Sequence, residues 1–289
     1  MTFRSFAKIN LHLQVMGRRE DGYHELETLF QSVDLADLVT LELNASDIRL
    51  TVSEGEAPAG AANLAYSAAQ RFLQRWAPDA GLRIDLKKRI PVGGGLGGGS
   101  SNAATVLAGL QRLLGEPAQR GDLLDLAAGL GADVPYFLWG GTALGLGRGD
   151  RIEPLPELAE RPIWLVTPPL RVSTAEVFGD LTLGESTARS WRGDGSRIRD
   201  LGWRHVEQGW NDLQETVLDR FPVMRDVYNV LVEAGATVVR LSGTGATLFA
   251  LFESGVQTSA LATVLPSGSR VVQTRTLTRA SLDRLRVVQ

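Results

Sequence analysis

Residues Pro91 to Ser101 read PVGGGLGGGSS and run on as NAATVLAGLQRLLG. Six of those eleven positions are glycine, and Ala103, Val106, Leu110 and Leu113 then recur at helical spacing. A glycine loop therefore feeds a helix N-terminus. Positions without Cβ let backbone approach a ligand closely, and a helix start offers unpaired N–H groups carrying partial positive charge. The combination suits a phosphate.

Other readings of the stretch are weaker. A flexible linker is not bracketed by a strand and a regular helix. Gly93, Gly95 and Gly98 satisfy the dinucleotide pattern GxGxxG, but Pro91 and Val92 intervene after the strand and no acidic residue ends a following one. A lysine-dependent P-loop is excluded, because Gly98 and Gly99 are followed directly by Ser100.

Working outward, Leu82 to Arg89 alternates as a strand leading into the loop, and Lys87, Lys88 and Arg89 are either a solvated charge run or an attraction for polyphosphate. Asn63 caps a helix over Leu64 to Trp76, which Pro78 ends. Before it, two strands flank a turn at Asn44 to Asp47. Near the N-terminus Ala7, Ile9, Leu11, Leu13 and Val15 alternate with Lys8, Asn10, His12 and Gln14, a strand whose polar face would ordinarily be solvated. The Asp21-Gly22 turn presents Tyr23 and His24, and Leu26, Leu29, Phe30 and Val33 form a short apolar stripe.

Downstream, a helix is expected over Asp122 to Leu130, followed by GADVPYFLWGG. Asp133 lies there among apolar residues, either as a helix cap or as a catalytic carboxylate. Thr142 onward reads as a hairpin turning at Gly147 to Asp150, and the proline-rich Glu153 to Pro162 marks a domain boundary. In the second half, Gly184 to Arg204 reads as a mobile loop and Asp212 with Glu215 as a capping box. Pro222 to Glu233 reads as a helix, Ser242 to Ala246 as a hairpin turn or a second close approach of backbone to ligand, and Arg270 to Leu277 as a strand.

The totals narrow the class. With 289 residues there is room for two domains, and a net charge of −3 leaves no basic footprint for nucleic acid. No cysteine is present, which removes disulfides, thiolate chemistry and cysteine-held metal. No apolar run long enough to span a membrane occurs and no charged-then-apolar leader pattern opens the chain, so a soluble cytoplasmic protein is expected.

Together AKINLHL, DGYHELETLFQ, PVGGGLGGGSSNAAT, LGADVPYFL and LSGTGATLFALF resemble the GHMP kinase superfamily, in order and spacing over nearly the whole chain. The DGYH and GGGLGGGSSNAA pair resembles the branch whose acceptor is a cytidine diphosphate linked to a methylerythritol. The resemblance implies an α+β protein with the two-domain GHMP kinase fold. Residues 1–157 would form an N-terminal domain like domain 2 of ribosomal protein S5, and 158–289 a ferredoxin-like C-terminal domain. It implies ATP and Mg²⁺, with phosphates along Pro91, Val92, Gly93, Gly94, Gly95, Leu96, Gly97, Gly98, Gly99, Ser100 and Ser101, and Asn63 near the base. Asp133 would be the catalytic aspartate and Lys8 the lysine acting with it. Asn10, Thr174 and Phe178 would lie near the acceptor, with Tyr23 and His24 receiving cytosine and Phe178 closing the stack. His12 shares the strand face of Lys8 and Asn10 without an implied role. The implied reaction phosphorylates a tertiary 2-hydroxyl on the non-mevalonate route to isoprenoid precursors. Partners would be small molecules, with no nucleic acid and no membrane, in a monomer or homodimer. The rivals are a GHMP kinase for mevalonate or homoserine, a nicotinamide-dependent oxidoreductase, and an RNA-binding module suggested by the S5-like fold alone.

Overall fold

The computed structural model describes residues 1–45, 47–58, 60–181, 198–200, 202–253 and 258–288. The alternating N-terminal segment extends into strand β1 (Thr2–Arg18), and after the Asp21-Gly22 turn the chain returns as β2 (His24–Asn44). The two are antiparallel from Thr2 opposite Thr40 to Arg18 opposite His24. The stripe at Leu26, Leu29, Phe30 and Val33 thus lies on a strand covered on both faces, with Phe30 in the core under the helices and Leu29 and Val33 in a second cluster.

Strand β3 (Ile48–Glu54), helix α1 (Leu64–Trp76) and strand β4 (Gly81–Lys87) form a crossover unit. β4 runs parallel to β3 and antiparallel to β2, so it inserts between the two strands that the Asn44 to Asp47 turn connects. Helix α1 has the bounds its sequence signals: Asn63 Oδ1 accepts the Ala65 N–H at 3.0 Å. Helix α2 (Gly98–Leu113) follows the glycine loop, then α3 (Arg120–Ala128), two residues earlier than expected, and α4 (Val134–Trp139). Ala65, Ala68 and Phe72 of α1 and Ala103, Val106 and Leu110 of α2 share a core with Leu41, Ile84 and Leu86 of the sheet. Strands β5 (Thr142–Gly147) and β6 (Arg151–Pro154) make the expected hairpin, and β5 lies along Leu26 to Gln31 of β2.

The second half carries β7 (Pro162–Thr167), α5 (Thr174–Asp180), α6 (Trp203–Glu207), α7 (Gln214–Arg220) and α8 (Pro222–Glu233). Then come β8 (Val238–Leu241), β9 (Leu248–Leu251), α9 (Thr258–Val264) and β10 (Arg270–Leu277). Its strands are antiparallel in the order β10-β7-β9-β8, which with this β-α-β-β-α-β connectivity is the ferredoxin-like arrangement. Helix α10 (Arg279–Leu285) and strand β11 (Val287–Val288) bring the chain back to Thr2 and Phe3. β10 also pairs with β2 at Val33 and Ser32, which joins the two sheets edge to edge.

That joining overturns the solvated polar face expected of β1. Lys8 is 3% exposed and His12 is fully buried, because the helices and glycine loop cover one face while the second half of the chain covers the other. The capping box at Asp212 is also replaced. Asp212 accepts the Val15 N–H and the Trp210 indole N–H, both at 2.8 Å, and α7 begins without a side-chain cap. The segment read as a mobile loop at 184–204 falls largely outside the described residues, in 184–197 and 201. Among the described residues no helix is long and apolar enough to cross a membrane.

Candidate active site

The glycine loop is held by its carbonyls. Gly94 C=O accepts the Thr247 N–H at 3.2 Å, Gly95 C=O accepts the Ser242 hydroxyl at 2.9 Å, and Leu96 C=O accepts the Lys8 N–H at 3.0 Å. Three consecutive acceptors are thereby committed to β1 and to the turn between β8 and β9. What the loop leaves for a ligand is its amide edge, continued by the start of α2, which has no side-chain cap. Two positions require glycine for space as well as for positive φ. A Cβ on Gly95 would lie 2.0 Å from Ser242 C=O, and one on Gly97 would lie 2.7 Å from the Phe137 ring and 3.2 Å from Lys8 Cε.

Behind the loop, β1 supplies a cation. The Thr28 hydroxyl donates to His12 C=O at 2.7 Å, so its oxygen receives the Asn10 amide at 2.8 Å. That fixes Asn10 with Oδ1 toward Lys8, whose ammonium donates to it at 2.6 Å. Lys8 Nζ lies 3.4 Å from Asp133 Oδ2 and 5.4 Å from the centre of the Phe30 ring. Asp133 occupies the position before α4 but caps nothing with its side chain, which excludes the cap reading. Its carboxylate is 32% exposed and faces the cavity.

A bulge between Asn10 and His12 sets the parity of β1. Lys8 and Asn10 line the cavity; beyond the bulge Leu13 lines it instead, and His12 meets the Trp210 ring edge-on at 4.6 Å. The expectation that His12 shares the face of Lys8 therefore fails. Burial first, and Arg240 second, push the His12 imidazole down to about 3. The Arg240 guanidinium, itself lowered to about 10 by burial, donates to Leu11 C=O within the bulge and to Val206 C=O at 3.1 Å.

The cavity measures about 1340 Å³ and extends from the loop to an aromatic end. There His24 and Phe178 stack with ring centres 4.9 Å apart and planes 20° apart. Burial, then Arg18, lower the His24 pKa, which favours the neutral ring with one donor and one acceptor. Tyr23 is 58% exposed, with the Arg148 guanidinium carbon 5.2 Å from its ring centre. Thr174 and Thr244 join hydroxyls at 3.1 Å, linking α5 to the β8–β9 turn.

The cavity thus brings together Lys8, Asn10, Tyr23, His24, Gly93, Gly95, Gly97, Ser100, Asp133, Thr174 and Phe178. Pro91, Val92, Gly94, Leu96, Gly98 and Gly99 shape the loop and helix start without lining it. The Ser101 hydroxyl turns inward, donating to Phe6 C=O at 2.6 Å. Asn63 does not line the cavity; beyond its cap bond it donates to Pro58 C=O at 2.9 Å. Thr28, Arg148 and Leu13 line it without a signal in the sequence, while the Gly243 to Gly245 turn had one in its small residues. Lys88 is committed elsewhere, to Asp37 and, at 2.8 Å, to Asn102 Oδ1. Among the described residues no group of three His, Asp or Glu side chains is placed to hold a metal ion.

The sequence matches the GHMP kinases N terminal domain over residues 63–141 and the GHMP kinases C terminal family over 197–267. It is 36% identical over 261 residues to the 4-diphosphocytidyl-2-C-methyl-D-erythritol kinase of Acetivibrio thermocellus, covering 89% of this chain and 92% of that protein. This chain belongs to the GHMP kinase family. The enzyme of that name from Syntrophotalea carbinolica is 40% identical to this GHMP kinase over 274 residues, 93% of this chain and 95% of the relative. A crystal structure of 4-(cytidine 5'-diphospho)-2C-methyl-D-erythritol kinase superposes with a TM-score of 0.79 at 36% identity, covering 96% of this chain and 99% of that one. A homoserine kinase from Cytophaga hutchinsonii, at 22% identity and a TM-score of 0.72 over 96% and 94% of the two chains, shares the fold. As a GHMP kinase the protein is an ATP-using phosphotransferase, and the oxidoreductase reading of GxGxxG falls.

Proposed function

We propose that this kinase transfers the γ-phosphoryl group of ATP to the tertiary 2-hydroxyl of 4-diphosphocytidyl-2-C-methyl-D-erythritol, on the non-mevalonate route to isoprenoid precursors. The observation that carries the reading is one cavity holding an amide-lined loop at one end, aromatic rings at the other and the Lys8–Asp133 pair facing it. Mevalonate and homoserine have no base for such an aromatic end.

In this reading the triphosphate lies along Gly93 to Ser100 and the nucleobase of the acceptor against Tyr23, His24 and Phe178. Asp133 orients the acceptor hydroxyl and takes its proton as the new O–P bond forms and the bond from Pγ to the bridging oxygen breaks, releasing ADP. Lys8, 3.4 Å from Asp133, offsets charge on the transferring group. Asn10, held by Thr28, restrains the Lys8 ammonium. The work is positioning and charge neutralisation.

Mg²⁺ belongs to the proposal. Asp133 is the one carboxylate among the described lining residues, with the Ser100 hydroxyl also available. This sparse set fits an ion that arrives on nucleotide phosphates and keeps its waters. When bound, it neutralises charge on the phosphates. The proposal also takes residues 1–157 and 158–289 as the two domains, acting in the cytoplasm. ADP release with this acceptor, against a panel including mevalonate and homoserine, tests it: turnover is expected with the cytidine compound alone, and preference for another alcohol overturns it.

A further inference from the structure

Asp37 is a fully buried carboxylate in the middle of β2, between the apolar residues Ala36 and Leu38. Such a group is costly unless every oxygen is well bonded. Oδ1 accepts the Arg89 N–H at 2.6 Å and the Ile90 N–H at 2.8 Å, on the two residues immediately before the glycine loop. Oδ2 accepts the Asn102 amide at 2.9 Å, from the fifth residue of the helix after the loop, and also the Lys88 ammonium. Lys88 donates in turn to Asn102 Oδ1 at 2.8 Å. Both stems of an eleven-residue loop therefore converge on one carboxylate. The same network reaches the catalytic strand: the Asn102 amide also meets the Ser5 hydroxyl at 2.9 Å, and Ser5 meets Ser101 at 2.8 Å, three residues ahead of Lys8.

We propose that Asp37 is the positioning residue of the nucleotide-phosphate loop, clamping its entry and exit stems together so that the amide edge is preformed before ATP arrives. It touches no substrate. The cavity does not include it, and its four donors are all protein groups. A neutral core residue would not do this. The two backbone donors, the amide and the ammonium all want an acceptor, and only a carboxylate offers one to each without a proton of its own. The clamp rests on the reading that the loop receives ATP.

The test separates the two. Asp37→Asn keeps size and one carbonyl oxygen but turns an NH₂ group toward Lys88 and Asn102. The KM for ATP is expected to rise about tenfold or more, the scale of one lost charge-assisted hydrogen bond, with the KM for the acceptor held within about twofold. Affinity for a non-hydrolysable ATP analogue, titrated directly, should fall by the same factor. Asn102→Ala removes the exit-stem donor, with its bonds to Lys88 and Ser5, but leaves the Arg89 and Ile90 N–H groups on Asp37 Oδ1, and should give a smaller rise, which keeps the clamp testable if Asp37→Asn does not fold. Wild-type affinity for ATP in either variant that folds, or equal losses for both substrates, overturns the clamp alone. A wild-type protein that binds no nucleotide overturns the loop reading itself, and the clamp with it.

Discussion

Asp133 Oδ2 stands 3.4 Å from Lys8 Nζ, across 125 residues of chain, and neither side chain has another partner of opposite charge within bonding distance among the described residues. A buried ammonium facing a partly exposed carboxylate leaves the carboxylate able to receive a proton from the cavity side. Asp133→Asn is expected to lower kcat by about 10²-fold or more while both KM values change little, because the amide keeps the shape and loses the base. Steady-state kinetics measure this, and a fully active variant removes Asp133 from the role. Lys8→Met should also depress kcat, with Asn10 Oδ1 losing the Lys8 ammonium as its donor.

The glycines of the loop are not equivalent. Gly95 has φ of 73° and no room, whereas Gly93 has φ of 72° with nothing within 4 Å of the point a Cβ would occupy. Gly93→Ala should cost only the left-handed backbone penalty, about 1 kcal/mol, and leave the loop in place. Gly95→Ala must push the loop off the β8–β9 turn, breaking the Ser242 bond to it. Titration with an ATP analogue distinguishes them: a much larger loss for Gly95→Ala is expected, and equal losses would refute the steric account.

The stack of His24 on Phe178 joins β2 to α5 at the aromatic end. Phe178→Ala removes one ring face and should raise the acceptor KM by roughly fivefold, the worth of about 1 kcal/mol of stacking, without altering the KM for ATP. Any shift confined to ATP would place the acceptor elsewhere.

His12 predicts a pH dependence of stability. Its folded value of about 3 lies below the ordinary 6.5, so between those values the unfolded chain binds the extra proton. The stabilisation is complete above about 6.5 and is lost as pH falls toward 3, at up to about 1.4 kcal/mol per pH unit. His12→Asn keeps an acceptor for the Trp210 N–H and cannot titrate. Denaturant unfolding at pH 7 and pH 5 should show a smaller drop for the variant; identical drops would assign the acid sensitivity to other groups.

Local signals in the chain determined much of this protein. The helices at Leu64 to Trp76 and Pro222 to Glu233 and the strand at Arg270 to Leu277 have the limits that Asn63, Pro78, Pro222, Gly235 and simple alternation announce, because capping and turn chemistry act within a few residues. The glycine loop and its helix were legible for the same reason. Tertiary structure decided the rest. Asp133 reads equally as a cap or a base until Lys8 stands opposite its carboxylate. His12 and Lys8 share a parity in sequence, and a bulge held by the Leu11 carbonyl on Arg240 separates them. Asp37 carries no motif at all; its meaning lies in four donors drawn from Lys88, Arg89, Ile90 and Asn102. Partners so distant along the chain leave no local pattern, since what selects each residue is the group that folding sets against it.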